Sequence, residues 1–405
     1  MANRIRLTLI SVSLVVLLYV VGGGLLGKND NSSEKTYRDL GVYSEVLNRI
    51  HQEYVTEPDL KKVTDGAIRG LLESLDPYST YFTPAQYQDY LQHPNPGPAD
   101  TGIFLSKRMG YATVIAVLPG SPAEKADIKP GDLIDEIDNT PARELSVIQL
   151  QRLLEGQPDT KVNLSIVREA RAEPQTISVA RAILNYPPVI SKMMDEGTGY
   201  LRVATFNKGI TEEISTRLRE LESQGARKIV LDLRNCAGGE VEEAVDAASL
   251  FVDKGLVAYL AGTRFPRQDL DVHPTGAVSK LPLAVLINQS TAGPSELVAS
   301  AILGHKRGEV VGVRSFGVGV YQKTVPVGDG SALLLSVAKY YGPDGKVISD
   351  NGVTPSVVQP ASSDQENPDD EGAPEEPEHF GGKDDLQLRK AIEVLSEATS
   401  LPKAA

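Results

Sequence analysis

The chain has 405 residues, enough for two or three domains around a sizeable core, and its 41 % apolar content with 36 Gly and 26 Pro is globular rather than fibrous or disordered. Its net charge of −13 is concentrated, because eight acidic residues and no Lys or Arg lie between Pro360 and Gly382, leaving −5 for the rest. The absence of a basic patch interleaved with aromatics argues against nucleic acid as a partner, and the single Cys236 excludes an intrachain disulfide framework and any multi-cysteine metal site. At the N-terminus, Arg4 and Arg6 precede an uncharged run of 21 residues, Leu7 to Gly27. That is about the length of a helix crossing roughly 30 Å of hydrocarbon. A cleaved signal has a shorter apolar run and an A-x-A-like site, whereas the small-residue cluster here is Gly22-Gly23-Gly24. Residues 1–27 are expected to remain as an inner-membrane anchor, with a cleaved signal as the alternative. The basic flank places the body in the periplasm or extracellular space.

Beyond a polar linker, Leu40, Tyr43, Val46, Leu47, Ile50 and Tyr54 recur at helical spacing, as do Leu60, Val63, Ala67, Ile68, Leu71, Leu72 and Leu75. A short helix over Pro84–Leu91 runs into Pro94-Asn95-Pro96-Gly97-Pro98, so an N-terminal helical region of 35–96 is expected. From Thr101 the texture changes to short strands, with Thr113–Val117 and Lys161–Val167 as the clearest, and a helix over Ser146–Leu154. The segment GSPAEKADIKPGDLIDEIDNTP (Gly120–Pro141) resembles the core motif of a PDZ domain, here bounded at 98–185. That resemblance implies capture of an extended peptide end as an added strand, with Gly102, Ile103, Phe104 and Leu105 as the peptide-binding loop. Gly102 suits close backbone approach.

From Gly199 strands and helices alternate: strand Tyr200–Thr205, helix Thr211–Gln224, strand Lys228–Leu233, helix Val241–Phe251, strand Leu283–Ile287 and helix Pro294–Leu303. Val310-Val311 and Ala332–Val337 add strands, which makes 186–358 an α/β domain with a mixed sheet. Residues 359–382 read as an acidic, Pro-rich disordered linker, and a closing amphipathic helix spans 383–399. Asp232 and Arg234, at a strand end, are expected to form a structural pair. Five scattered His residues without His-x-x-x-His spacing point to no metal, and nothing in the sequence points to a cofactor.

From Thr36 to Pro355 the chain resembles the C-terminal processing peptidases, or tail-specific proteases, of bacteria and plastids. The resemblance rests on LLESLDPYSTYFTPAQY (Leu71–Tyr87), the PDZ segment, LDLRNCAGGEVEEAVDAASLF (Leu231–Phe251) and STAGPSELVASAILGHKRGEVVGVRSFGVGVYQ (Ser290–Gln322). It implies an α/β (α+β) peptidase-like core with a mixed sheet, an N-terminal helical segment and an inserted PDZ domain. It also implies serine protease chemistry, with a lysine general base assisted by a glutamine, acting on proteins with nonpolar C-termini. A serine hydroxyl needs a base, and a lysine serves only where burial lowers its pKa. Aligned on Ser295-Glu296, however, the nucleophile position is Gly293 and the base position is Val318, neither of which has a reactive side chain. Gln322 keeps the glutamine position, and Gly238-Gly239 keeps the turn expected at the oxyanion hole.

Gly293 at the N-cap, Pro294 at N1 and Glu296 at N3 read as a helix start instead. The expectation is a membrane-anchored homologue without proteolytic activity that binds protein C-termini as a regulator or scaffold, with a homologous active protease among its partners. The competing expectation is an active serine endopeptidase with rebuilt chemistry. Its nucleophile would come from Thr291, Ser295, Cys236 or Ser290, and its base from Lys323, His305 or Lys306.

Overall fold

The computed structural model describes residues 31–94, 96–108, 110–168, 173–273, 279–361, 380–382 and 384–400. The expected anchor and most of the acidic linker lie outside the described residues. No described helix is long and apolar enough to cross a membrane. The chain divides into two compact units, 1–68 and 69–405.

The first unit holds α1 (Asn31–Glu53) and the start of α2 (Leu60–Glu73). The helical period read from the sequence is right, and the apolar residues Leu40 and Val46 of α1 are 56 % and 50 % exposed.

In the second unit, β1 (Thr80–Phe82) is followed by α3 (Pro84–Gln92), which starts at a capping box between Thr83 and Gln86. Next come β2 (Ile103–Arg108), β3 (Tyr111–Val117), α4 (Pro122–Lys125), β4 (Leu133–Ile137), β5 (Thr140–Pro141), α5 (Val147–Leu154), β6 (Lys161–Val167) and β7 (Gln175–Ala180). These strands form one antiparallel sheet in the order β2-β3-β4-β6-β7, which leaves β2 at an edge. Helix α5 starts where Ser146 accepts a hydrogen bond from the Gln149 N–H. It turns Val147, Leu150 and Leu154 inward onto Leu105, Val114, Ile134 and Leu164, as their spacing dictates.

The remaining elements build the α/β core. They are β8 (Ile190–Met194), β9 (Thr198–Arg202), α6 (Ile210–Ser223), β10 (Lys228–Asp232), α7 (Val241–Ser249), β11 (Leu256–Ala261), β12 (Gln268–Asp271), β13 (Leu283–Ile287), α8 (Pro294–Gly304), β14 (Glu309–Gly312), β15 (Val320–Pro326), β16 (Ala332–Tyr341), β17 (Val357–Val358) and α9 (Leu386–Ser400). A six-stranded sheet runs β17-β14-β13-β10-β9-β8, parallel except for β8. The antiparallel β15–β16 hairpin joins β1, β11 and β12 in a second sheet.

The parallel sheet is buried on both faces, so its strands read as continuous apolar runs. Ile229 and Leu231 face Ile214, Leu218 and Leu297 on one side, while Val230, Ala284 and Leu286 face Leu388, Ala391 and Leu395 of α9 on the other. The C-terminal helix is therefore a wall of the core. It is pinned by Arg234, which is fully buried. The Arg234 guanidinium donates to Asp232 Oδ1 at 2.9 Å, to Asp385 Oδ1 and Oδ2 at 2.8 and 2.7 Å, and to Gln387 Oε1 at 3.1 Å, under the ring of Phe380. Asp385 in turn accepts from the N–H groups of Gly381 and Leu388, which caps α9. The Asp232–Arg234 pair is structural, as expected, but its third member lies about 150 residues away and has no local sequence signal.

Candidate functional site

The site lies where three turns meet: Arg234–Gly239 after β10, Asn288–Gly293 before α8, and Ser315–Gly319 before β15. Each turn is held to the others by polar groups. Asn288 Nδ2 donates to Asn235 Oδ1 at 2.6 Å, and Asn288 Oδ1 accepts from the Asn235 N–H at 3.0 Å. The Thr291 hydroxyl donates to the Leu233 carbonyl at 2.8 Å, and the Phe316 N–H donates to the Thr291 carbonyl at 3.0 Å.

At the centre is Glu296, the N3 residue of α8, with no exposed surface. Its Oε2 accepts from the N–H of Gly293 at 2.8 Å and of Val318 at 2.9 Å. Its Oε1 accepts from the Ser315 hydroxyl at 2.5 Å and the Gly317 N–H at 2.8 Å. Gly293 and Val318, expected to align with nucleophile and base, are thus brought together on one carboxylate oxygen. Burial pushes the Glu296 carboxyl up to about 7, with these four donors pulling the other way. Gly293 is the N-cap and Pro294 follows at the first turn, as the sequence suggested. At its other end α8 stops at Gly304 with His305 as the C-cap, and Lys306 takes the left-handed turn (φ 52°).

The backbone of Gly293 (φ 68°, ψ −121°) lies in a region that L side chains rarely adopt, although nothing stands within 4 Å of where a Cβ would be. Val318 packs in an apolar cluster with Ala237, Ala292, Phe316 and Phe104. Phe104 projects from β2 of the PDZ domain onto Gly238, where an added Cβ would meet the ring at 2.2 Å. The four residues read as the peptide-binding loop therefore divide. Ile103 and Leu105 turn into the PDZ core, whereas Phe104 turns out onto the turn at Gly238, as strand alternation requires. The Gly102 N–H is already held by Asp100 Oδ1 at 3.0 Å. Gly239 lies against the Phe206 backbone with φ 102°, so only a glycine fits there. Gln322, on β15, donates through Nε2 to the Tyr78 carbonyl at 2.9 Å.

The alternative nucleophiles are all buried. Ser295 is fully buried, and its hydroxyl donates to the Cys236 carbonyl at 2.7 Å and the Ala292 carbonyl at 3.1 Å. Thr291 is fully buried on the Leu233 carbonyl. Burial pushes the Cys236 thiol well above its ordinary range, which keeps it a neutral, inert group. Ser290 is buried, with its N–H on Asn288 Oδ1 at 3.1 Å. Of the expected bases, His305 contacts the Leu256 carbonyl through Nε2 at 2.7 Å, and Lys306 and Lys323 are exposed. Among the hydroxyls of these three turns, that of Ser315 meets a carboxylate, Glu296. It is itself buried, and it accepts from the Val353 N–H at 2.6 Å. Nothing in the sequence singled out Ser315, because its partner is set by how two turns pack.

Residues 197–359 match Peptidase family S41, residues 113–168 match a PDZ domain, and residues 24–84 match the CtpB N-terminal domain of an activating protease. The chain is 30 % identical over 358 residues to the carboxy-terminal processing protease CtpA of Bacillus subtilis, covering 87 % of this chain and 75 % of that one. It is 31 % identical to the C-terminal processing peptidase of Tetradesmus obliquus chloroplasts, covering 80 % and 74 %. Among solved structures, the photosystem II D1 C-terminal processing protease superposes with a TM-score of 0.64 at 28 % identity, covering 78 % of this chain and 92 % of that one. The match spans helices, PDZ domain and α/β core in one order, and the chain belongs to the C-terminal processing proteases of peptidase family S41.

Proposed function

We propose that this member of the family is a non-cleaving, membrane-anchored protein that binds protein C-termini through its PDZ domain and regulates or scaffolds other proteins outside the cytoplasm. The observation that carries this reading is Glu296 Oε2, which draws together Gly293 and Val318, two positions whose side chains offer no nucleophile and no base. Acyl transfer needs a hydroxyl or thiol and a proton acceptor in contact near oxyanion donors. Supporting it further, the hydroxyls of Thr291 and Ser295 are spent on backbone carbonyls.

The test is turnover. The full chain, repurified, is expected to leave a nonpolar-tailed protein substrate intact over a day. Gly293→Ser alone should stay inactive, since an unassisted hydroxyl remains protonated near neutral pH. That variant also bears strain of about 1–3 kcal/mol from the left-handed backbone at 293. Cleavage that is abolished by Thr291→Ala, Ser295→Ala or Cys236→Ala would establish the rearranged-site reading instead.

Binding has its own expected result. Peptides with apolar C-termini should bind in the micromolar range, about −8 kcal/mol, by addition to the edge strand β2. Amidating the terminal carboxylate should weaken them severalfold when measured by fluorescence polarisation. Equal affinity of the amidated peptide would remove the loop Gly102–Leu105 as the carboxylate site.

A further inference from the structure

Among the described residues, a single group of three side chains with metal-ligating atoms converges away from the site above: Glu242, Asp246 and His273, with one ligand atom from each lying within 4.8 Å of the others. We propose that they form a surface site for a divalent transition ion of the zinc class, which braces the start of α7 against the segment leaving β12.

The two carboxylates are one turn apart on the same face of α7, as residues at i and i+4 must be. His273 follows β12, and its position is fixed by backbone contacts: its N–H donates to Ser249 Oγ at 2.9 Å, and that of Val272 donates to the Gly255 carbonyl at 2.8 Å. His273 Nδ1 stands 2.7 Å from Asp246 Oδ1 and 3.7 Å from Glu242 Oε1. Ligands at about 2.0–2.1 Å on a tetrahedral ion are separated by about 3.3 Å. The observed spacings bracket that value, so small side-chain rotations complete the set. One neutral imidazole and two carboxylates balance a dipositive ion and leave a position for water. The imidazole selects against magnesium and calcium, which prefer oxygen alone. The side chains are 69 %, 37 % and 45 % exposed in chain order, which keeps the site open to ions from solvent. Because α7 begins directly after the Gly238-Gly239 turn, an ion here would stiffen the helix that carries that turn. The sequence spacing hid the site: its histidine lies 27 residues from Asp246 and follows no metal-binding motif.

The experiment uses the full chain, stripped with a chelator and titrated calorimetrically with zinc chloride, then with magnesium chloride. One zinc ion per chain at micromolar affinity is expected, with a melting temperature that rises with zinc and no response to magnesium. His273→Ala should weaken binding at least roughly tenfold, and Asp246→Asn comparably. Both sit on the surface and should keep the wild-type circular dichroism. X-ray absorption at the zinc edge should show one imidazole and oxygen ligands without sulfur. Zinc affinity unchanged in His273→Ala, equal binding of magnesium, or no binding below about 1 mM would each overturn the site.

Discussion

Replacing Asp385 by Ala is expected to lower the unfolding free energy by about 3–5 kcal/mol, because it leaves the buried Arg234 guanidinium with one carboxylate instead of two. Loss of the α9 N-cap at Leu388 adds about 1 kcal/mol. Arg234 cannot answer by losing its proton, since a guanidinium stays charged in any protein. The effect should therefore appear in full as a lower urea midpoint. Helix α9 buries Leu388, Ala391 and Leu395 against the parallel sheet, so the same change should expose that face and promote aggregation. Asp385→Asn, which keeps shape and cap but loses charge, should fall between the two. Although burial opposes it, the Arg234 pairing, with the N–H groups of Gly381 and Leu388, holds the Asp385 carboxyl below its ordinary value. A depressed acid stabilises the fold above its unfolded pKa, and that contribution disappears as the pH falls through the folded value. Acidification below about pH 4 should thus weaken the wild type more than the Asn variant. A midpoint shift worth less than about 1 kcal/mol for Asp385→Ala would mean that α9 is not a wall of the core.

Glu296→Gln should cost about 2–6 kcal/mol above pH 8, since exchanging one carboxylate oxygen for an amide leaves two buried donors unpaired, at about 1–3 kcal/mol each. The dependence on pH runs opposite to that of Asp385. The Glu296 carboxyl rises from 4.5 unfolded to about 7 folded, so the folded chain holds a proton that the unfolded chain releases. Stability from this group is complete below about pH 4.5 and is lost as the pH rises through about 7, amounting to about 3 kcal/mol. When protonated, the carboxyl can donate to the Ser315 hydroxyl 2.5 Å away. The wild type should therefore lose about 2.5 kcal/mol of stability between pH 5 and 8 relative to Glu296→Gln, whose amide does not titrate in that range. Chemical denaturation of both chains at the two pH values reads the difference directly. Parallel curves would show that Glu296 is ionised throughout.

Much of this protein was legible in its residues. The order of elements, the α8 start at Gly293-Pro294-Ser295-Glu296 and the PDZ framework follow from local rules: period, capping and turn chemistry act over a few residues and are written there. The vacancies at Gly293 and Val318 were equally plain, because they are matters of residue identity. Tertiary structure decided what is non-local. The outward turn of Phe104 onto Gly238, the packing of α9 on the parallel sheet and the pairing of Asp385 with Arg234 depend on which surfaces meet. Strands β8, β11, β12 and β15 carry weak patterns of their own, and their pairing with distant neighbours made them strands. The same holds for Glu296: a helix-start acid in sequence, it became the link between two turns only when folding buried it among four donors from the segments at Gly293 and Ser315–Val318.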